Sequence, residues 1–135
     1  MSKTMNVPFF EYPKLWTDDR ENLIKIIDEV SSSGGFILQQ AVLDFEKKLA
    51  DFTSSSYSVG VGNATDAMEI FLEAIGINSN DEIIISSHTM LATASAIKVN
   101  GGVPVPVDIG SDNLICPESI ENAITDKTVG IMPTQ

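Results

Sequence analysis

The sequence predicts an α/β protein built on a mainly parallel sheet with helices on both faces. From residue 57 onward, short apolar runs alternate with stretches of helical period, the pattern of a layered sheet whose strands are joined by crossover helices. The run "DEIIIS" (81–86) is almost continuously apolar, as expected of a strand covered on both faces rather than one. At 135 residues and 43% apolar composition, the chain is long enough to bury a core of that kind.

Taken in order, "TDDRENLIKIIDEV" reads as a helix with Thr17 as N-cap and Asp18 and Asp19 in the first turn, where the helix dipole favours acids. Leu23, Ile26, Ile27 and Val30 share one face of it. The stretch "SSSGG" ends it, because Gly34 and Gly35 allow a turn closed to other residues. A second helix within 39–52 lines up Val42, Phe45, Leu49 and Phe52, with Glu46, Lys47 and Lys48 largely outside the stripe; both stripes read as core.

"YSVGV" (57–61) reads as a first strand, and Ala67, Ile70, Phe71, Ala74 and Ile75 as the inner face of the helix that follows. "DEIIIS" is the next strand, and "MLATASAIK" (90–98) a helix rich in small residues and suited to close packing. "GVPVPVDI" (102–109) is a further strand that Pro104 and Pro106 make irregular or confine to a sheet edge. Pro117 opens a helix with Ile120, Ala123 and Ile124 inward, and "TVGIM" (128–132) is a last strand. The sequence then stops at the carboxyl end of that strand, where a crossover normally follows, which suggests a fragment.

Composition excludes several functions. A net charge of −11 with only eight Lys plus Arg leaves no basic surface for nucleic acid. No apolar run approaches a membrane span, and Pro8, Glu11 and Pro13 interrupt the start, so neither a membrane helix nor a secretory signal is predicted and a cytoplasmic protein is expected. Cys116 is the only cysteine and His88 the only histidine, so internal disulfides, cysteine-based zinc sites and two-histidine schemes are not expected, and no metal site is assigned.

The chemistry concentrates in "GVGNAT" (60–65). It holds two glycines of a dinucleotide fingerprint, with Thr65 where a third should be, and it lacks the Gly-Lys-Ser/Thr of a P-loop. Two glycines permitting a tight turn, with Asn63 and Asp66 as ordinary caps, would be the plain explanation. Against it, Asn63, Ala64 and Thr65 fall at a helix start, where free N–H groups and the Thr hydroxyl suit a terminal phosphate. His88 and Asp108 lie at strand carboxyl ends, where α/β proteins bind ligands, although a lone histidine is more often structural and Asp108 could simply cap its turn.

With these segments set side by side, the chain resembles the N-terminal part of the DegT–StrS sugar aminotransferases, fold-type-I enzymes dependent on pyridoxal phosphate. The likeness runs from "VPFF" to the last residue. "GGFILQQAVLDFEKKLADF" is similar to the family's Tyr-Ile-Leu-Gly and Phe-Glu stretch, and "VGVGNATDAM" to its Ser/Asn-Gly-Thr-x-Ala-Leu phosphate turn. "NDEIIISSHTMLATASAI" resembles Gly-Asp-Glu-Val-Ile, Thr-aromatic, Ala-Thr; "GGVPVPVDI", "ICPESIENAITDKTVGIMP" and "PTQ" follow in family order.

The resemblance implies that residues 1–56 are an N-terminal helical segment and 57–135 the first part of a cofactor-binding large domain, the whole being incomplete. It implies pyridoxal 5'-phosphate as cofactor, with Asn63, Ala64 and Thr65 at the phosphate. Met90 stands where the family has an aromatic ring over the pyridine, and a thioether or the nearby His88 could cover that face instead. Thr93 and Gln135 are further cofactor-side candidates; Ala64 replaces a glycine, Gln39 and Gln40 replace small residues, and Gln135 replaces a frequent histidine.

The Schiff-base lysine and the Asp that pairs with the pyridine nitrogen are expected beyond Gln135, so no catalytic residue is assigned within the chain and the fragment alone is expected to be inactive. For the full protein, the resemblance implies transfer of an amino group, with glutamate as donor, to a nucleotide-linked keto-sugar, in a homodimer. A sugar dehydratase of the same family, with histidine in place of the lysine, and a non-catalytic regulatory or interaction module are the alternatives.

Overall fold

The computed structural model describes residues 7–134 and divides the chain into two units, 1–60 and 61–135. In the first, α1 spans Tyr12–Ser32 and α2 Gln40–Thr53. In the second, α3 (Ala64–Ile75), β1 (Glu82–Ser86), α4 (Leu91–Val99), β2 (Val103–Val107), α5 (Pro117–Ala123) and β3 (Thr128–Met132) alternate as the sequence predicts.

Helix α1 begins earlier than expected. Pro13 sits in its first turn, where its missing N–H costs nothing, so the helix starts before Thr17 rather than after it. Thr17 is therefore no N-cap: inside the helix, its hydroxyl donates to the Pro13 carbonyl at 2.8 Å. The chain leaves α1 through Gly34, whose φ of +73° needs a glycine. The apolar stripe of α1 is not core among the described residues: it has no buried residue, and α2 buries only Ala50. Leu23, Ile27, Phe45 and Phe52 of these stripes are all exposed.

The expected strand at 57–61 does not form. A strand is defined by its ladder partner, and these residues pair with none among the described residues. Part of the stretch is held by α2 instead: Glu46 Oε1 accepts from Gly60 N–H at 2.7 Å, and the Glu46 carbonyl accepts from the Ser58 hydroxyl at 2.6 Å.

The sheet of the second unit has the order β2-β1-β3, and both pairings are parallel. β1 is central. Ile83 and Ile85 join a core with Leu72, Ala96 and Ile97, while Ile84 faces the opposite side and is also completely buried, so both faces of β1 are covered. β2, with its two prolines, lies at one edge of this sheet, as Pro predicts. Pro117 opens α5 as expected, but Ile124 falls past the helix end and is exposed, whereas Ile120 and Ala123 are half-buried.

The inner face of α3 differs from the predicted one. Leu72 (1% exposed), supported by Met68, enters the core, whereas Ala67, Ile70, Phe71, Ala74 and Ile75 are exposed. This helix is apolar on more than one stripe. The pair one turn apart at 68 and 72 is the one turned towards Ile97 and Ile85.

Candidate functional site

The ends of the helices are fixed by contacts at one end of the sheet. Asn100, the C-cap of α4, donates through Nδ2 to the Glu69 carbonyl in the middle of α3 at 3.2 Å, and beyond both helices Gly102 sits so close to Ile77 and Ile97 that an added Cβ would lie 3.0 Å from each. Val103 N–H donates to the Asp81 carbonyl at 2.8 Å beside them, at the amino ends of β2 and β1. Both helices therefore finish at the amino end of the sheet, and their N-termini point to its carboxyl end. That is where parallel α/β sheets present ligand sites.

At the start of α3, Asn63 has extended backbone and caps the helix: its Oδ1 accepts from Asp66 N–H at 3.0 Å. The bond is returned, since Asn63 Nδ2 donates to Asp66 Oδ2 at 3.0 Å. Ala67 N–H goes to the Asn63 carbonyl at 3.1 Å. The N–H groups of Ala64 and Thr65 and the Thr65 hydroxyl have no partner among the described residues. Two backbone donors, a hydroxyl and the positive end of a helix of 12 residues make a cradle for one anionic oxygen group.

Neither glycine of "GVG" uses its conformational freedom, since positive φ among glycines is confined to Gly34, Gly76 and Gly101. An added Cβ on Gly62 would come within 2.6 Å of Asp66 Oδ2, so Gly62 makes room for the carboxylate that the Asn63 amide holds. The turn is an Asn-capped helix start rather than a glycine-dependent dinucleotide loop.

His88 and Met90 lie in the connection from β1 to α4. Ser86, buried at the end of β1, accepts from His88 N–H through its Oγ at 3.3 Å. Met90 is the N-cap of α4, is 78% exposed, and lines one wall of an open cavity of about 360 Å³ with Ser86, Thr89 and Leu91. Both candidates are thus exposed at the carboxyl end of β1. Thr93 is different: it is buried in the first turn of α4, and its hydroxyl is 3.0 Å from that of Thr89. Gln135 lies outside the described residues. Sequence reasoning missed Thr89 and Thr134, whose hydroxyls are 2.7 Å apart. The Thr-x-x-x-Thr spacing of 89 and 93 was the available signal for part of that chain.

Residues 17–135 match the model of the DegT/DnrJ/EryC1/StrS aminotransferase family. The chain belongs to this family. Among the relatives it matches, a "pleiotropic regulatory protein" of Geobacillus stearothermophilus is 35% identical over 96% of this chain and 35% of its own length. A dTDP-3-amino-3,6-dideoxy-alpha-D-galactopyranose transaminase of Aneurinibacillus thermoaerophilus is 36% identical over 93% of this chain and 35% of its own. The crystal structure of NtdA from Bacillus subtilis with bound cofactor PMP superposes with a TM-score of 0.89 at 34% identity, covering 98% of this chain and 31% of that one. The chain spans about a third of the length of these relatives. As a family member it has the α/β architecture of the fold-type-I aminotransferases.

Proposed function

We propose that this chain forms the phosphate-binding part of a pyridoxal-phosphate-dependent aminotransferase that acts on a nucleotide-linked keto-sugar, with glutamate as amino donor. The observation that carries the reading is the start of α3, where Ala64 N–H, Thr65 N–H and the Thr65 hydroxyl are without partners among the described residues. The names of the transaminase of A. thermoaerophilus and of the PMP-bound structure support the substrate class and the cofactor.

In this reading Asn63 holds the turn open by occupying the Asp66 N–H, and Ala64 and Thr65 donate to the cofactor phosphate. His88 and Met90 offer an imidazole and a thioether to cover the pyridine face. Gln135 contributes from the segment after β3, and the enzyme works as a homodimer. When bound, the cofactor supplies the electron sink for amino-group transfer. Lys98 lies in the last turn of α4, and the Lys127 carbonyl accepts from Glu82 N–H at 2.8 Å; both belong to the amino end of the sheet, remote from the cradle. This reading expects no transamination from the 135 residues alone, since neither lysine of the second unit stands at the cradle.

The test is a titration of the chain with pyridoxal phosphate followed by ³¹P NMR. Thr65→Val, which removes one hydroxyl donor to a charged group, should weaken binding about tenfold. Equal affinity in the variant would sink the phosphate assignment. A regulatory module is the second reading, favoured by the name of the G. stearothermophilus relative. It predicts cofactor or anion binding without any aminotransferase activity in a polypeptide that carries the whole family fold.

A further inference from the structure

Three threonine hydroxyls form a chain at the carboxyl end of the sheet. Thr93 Oγ1, buried in α4, lies 3.0 Å from Thr89 Oγ1, which lies 2.7 Å from Thr134 Oγ1. Thr89 stands between His88 and Met90, and Thr134 follows β3 and precedes Gln135. A hydroxyl gives one hydrogen bond and accepts others, so Thr89 can serve both neighbours at once, in either direction along the chain. Of the side-chain hydrogen bonds among the described residues, the one to Thr134 alone joins the β1–α4 connection to the segment after β3. The buried Thr93 hydroxyl has Thr89 as its partner, so the link is anchored on the core side as well.

The geometry points to Thr89 as a positioning residue. Its hydroxyl clips the loop that bears His88 and Met90 to the segment that leads into Gln135, and so sets the surface that faces the cofactor ring. Thr89 touches no reacting atom in this assignment. The inference rests on the cofactor reading for its consequence, and on the three hydroxyls for its geometry.

Thr89→Val keeps the shape and removes both bonds; Thr89→Ser keeps the oxygen. Thr134→Val, at an exposed position, cuts only the bond between the two segments and serves if Thr89→Val does not fold. In the 135-residue chain, amide exchange of His88 and Thr93, whose N–H groups donate to Ser86 Oγ and to the Met90 carbonyl, should accelerate about fivefold in Thr89→Val and Thr134→Val and stay unchanged in Thr89→Ser. Pyridoxal phosphate should bind Thr89→Val about fivefold more weakly, and inorganic phosphate, which reports the α3 cradle alone, equally well. Thr89→Ser should restore the cofactor affinity.

Unchanged exchange in both valine variants overturns the inference. So does an equal loss of affinity for pyridoxal phosphate and inorganic phosphate, which marks general damage. If the unaltered chain binds neither ligand, the cofactor reading fails, and the exchange rates alone decide whether Thr89 holds the two segments together.

Discussion

Asn63 does two things with one side chain. It satisfies the Asp66 N–H, and it holds the Asp66 carboxylate over Gly62. In the phosphate-binding reading, the cost of an acidic group beside the anion is moderated because that carboxylate is engaged by the Asn63 amide. Asn63→Ala should lower stability by about 1 kcal/mol in chemical denaturation, the usual loss for an N-cap side chain. It should also weaken phosphate binding, because the released Asp66 carboxylate would compete for the same N–H groups. Unchanged phosphate binding in Asn63→Ala would show that the cap is purely structural. The contrast with Thr65 is direct: Thr65 has no partner to lose, so Thr65→Val should change affinity while leaving stability nearly untouched.

At the scale of elements, β1, α4 and the Pro117 start of α5 were legible because their signals are local: a triple isoleucine, a run of small residues and a proline at N1. The helix cap at Asn63 was legible for the same reason. The inner face of α3 was not, since Phe71 and Ile75 offer as good a stripe as Met68 and Leu72, and only the positions of Ile85 and Ile97 decide between them. Leu72→Ala should therefore cost about 3 kcal/mol in the stability of the second unit, as a buried leucine leaving a cavity does. Phe71→Ala, at a side chain 57% exposed, should cost well under half of that, about 1 kcal/mol or less. Equal losses would restore the face read from periodicity. The residues at 57–61 failed as a strand for a related reason: pairing depends on a second segment, and here Glu46 supplies the bonds to Ser58 and Gly60. The Thr89–Thr134 contact joins residues 45 apart, beyond any local pattern.

At the scale of the molecule, the second unit has a direction. Its strands run parallel, its helices α3 and α4 return against them, and one end of the sheet gathers the unpaired donors of Ala64 and Thr65 while the other holds Lys98 and Lys127. The two ends thus separate the unpartnered donors from the lysine amines of this unit. Pyridoxal phosphate is an aldehyde, and exposed amines react with it wherever they are. Borohydride reduction followed by peptide mapping should find label on the exposed lysines, Lys98 and Lys127 among them, in proportion to aldehyde concentration, to the same extent in the unaltered chain and in Thr65→Val. A single saturable adduct abolished by Thr65→Val would mean that a lysine reaches the cradle after all. The polarity of the sheet therefore sets a rule for labelling experiments on this chain: the reduced, labelled lysines record where its amines are, and the phosphorus signal records whether a phosphate is held.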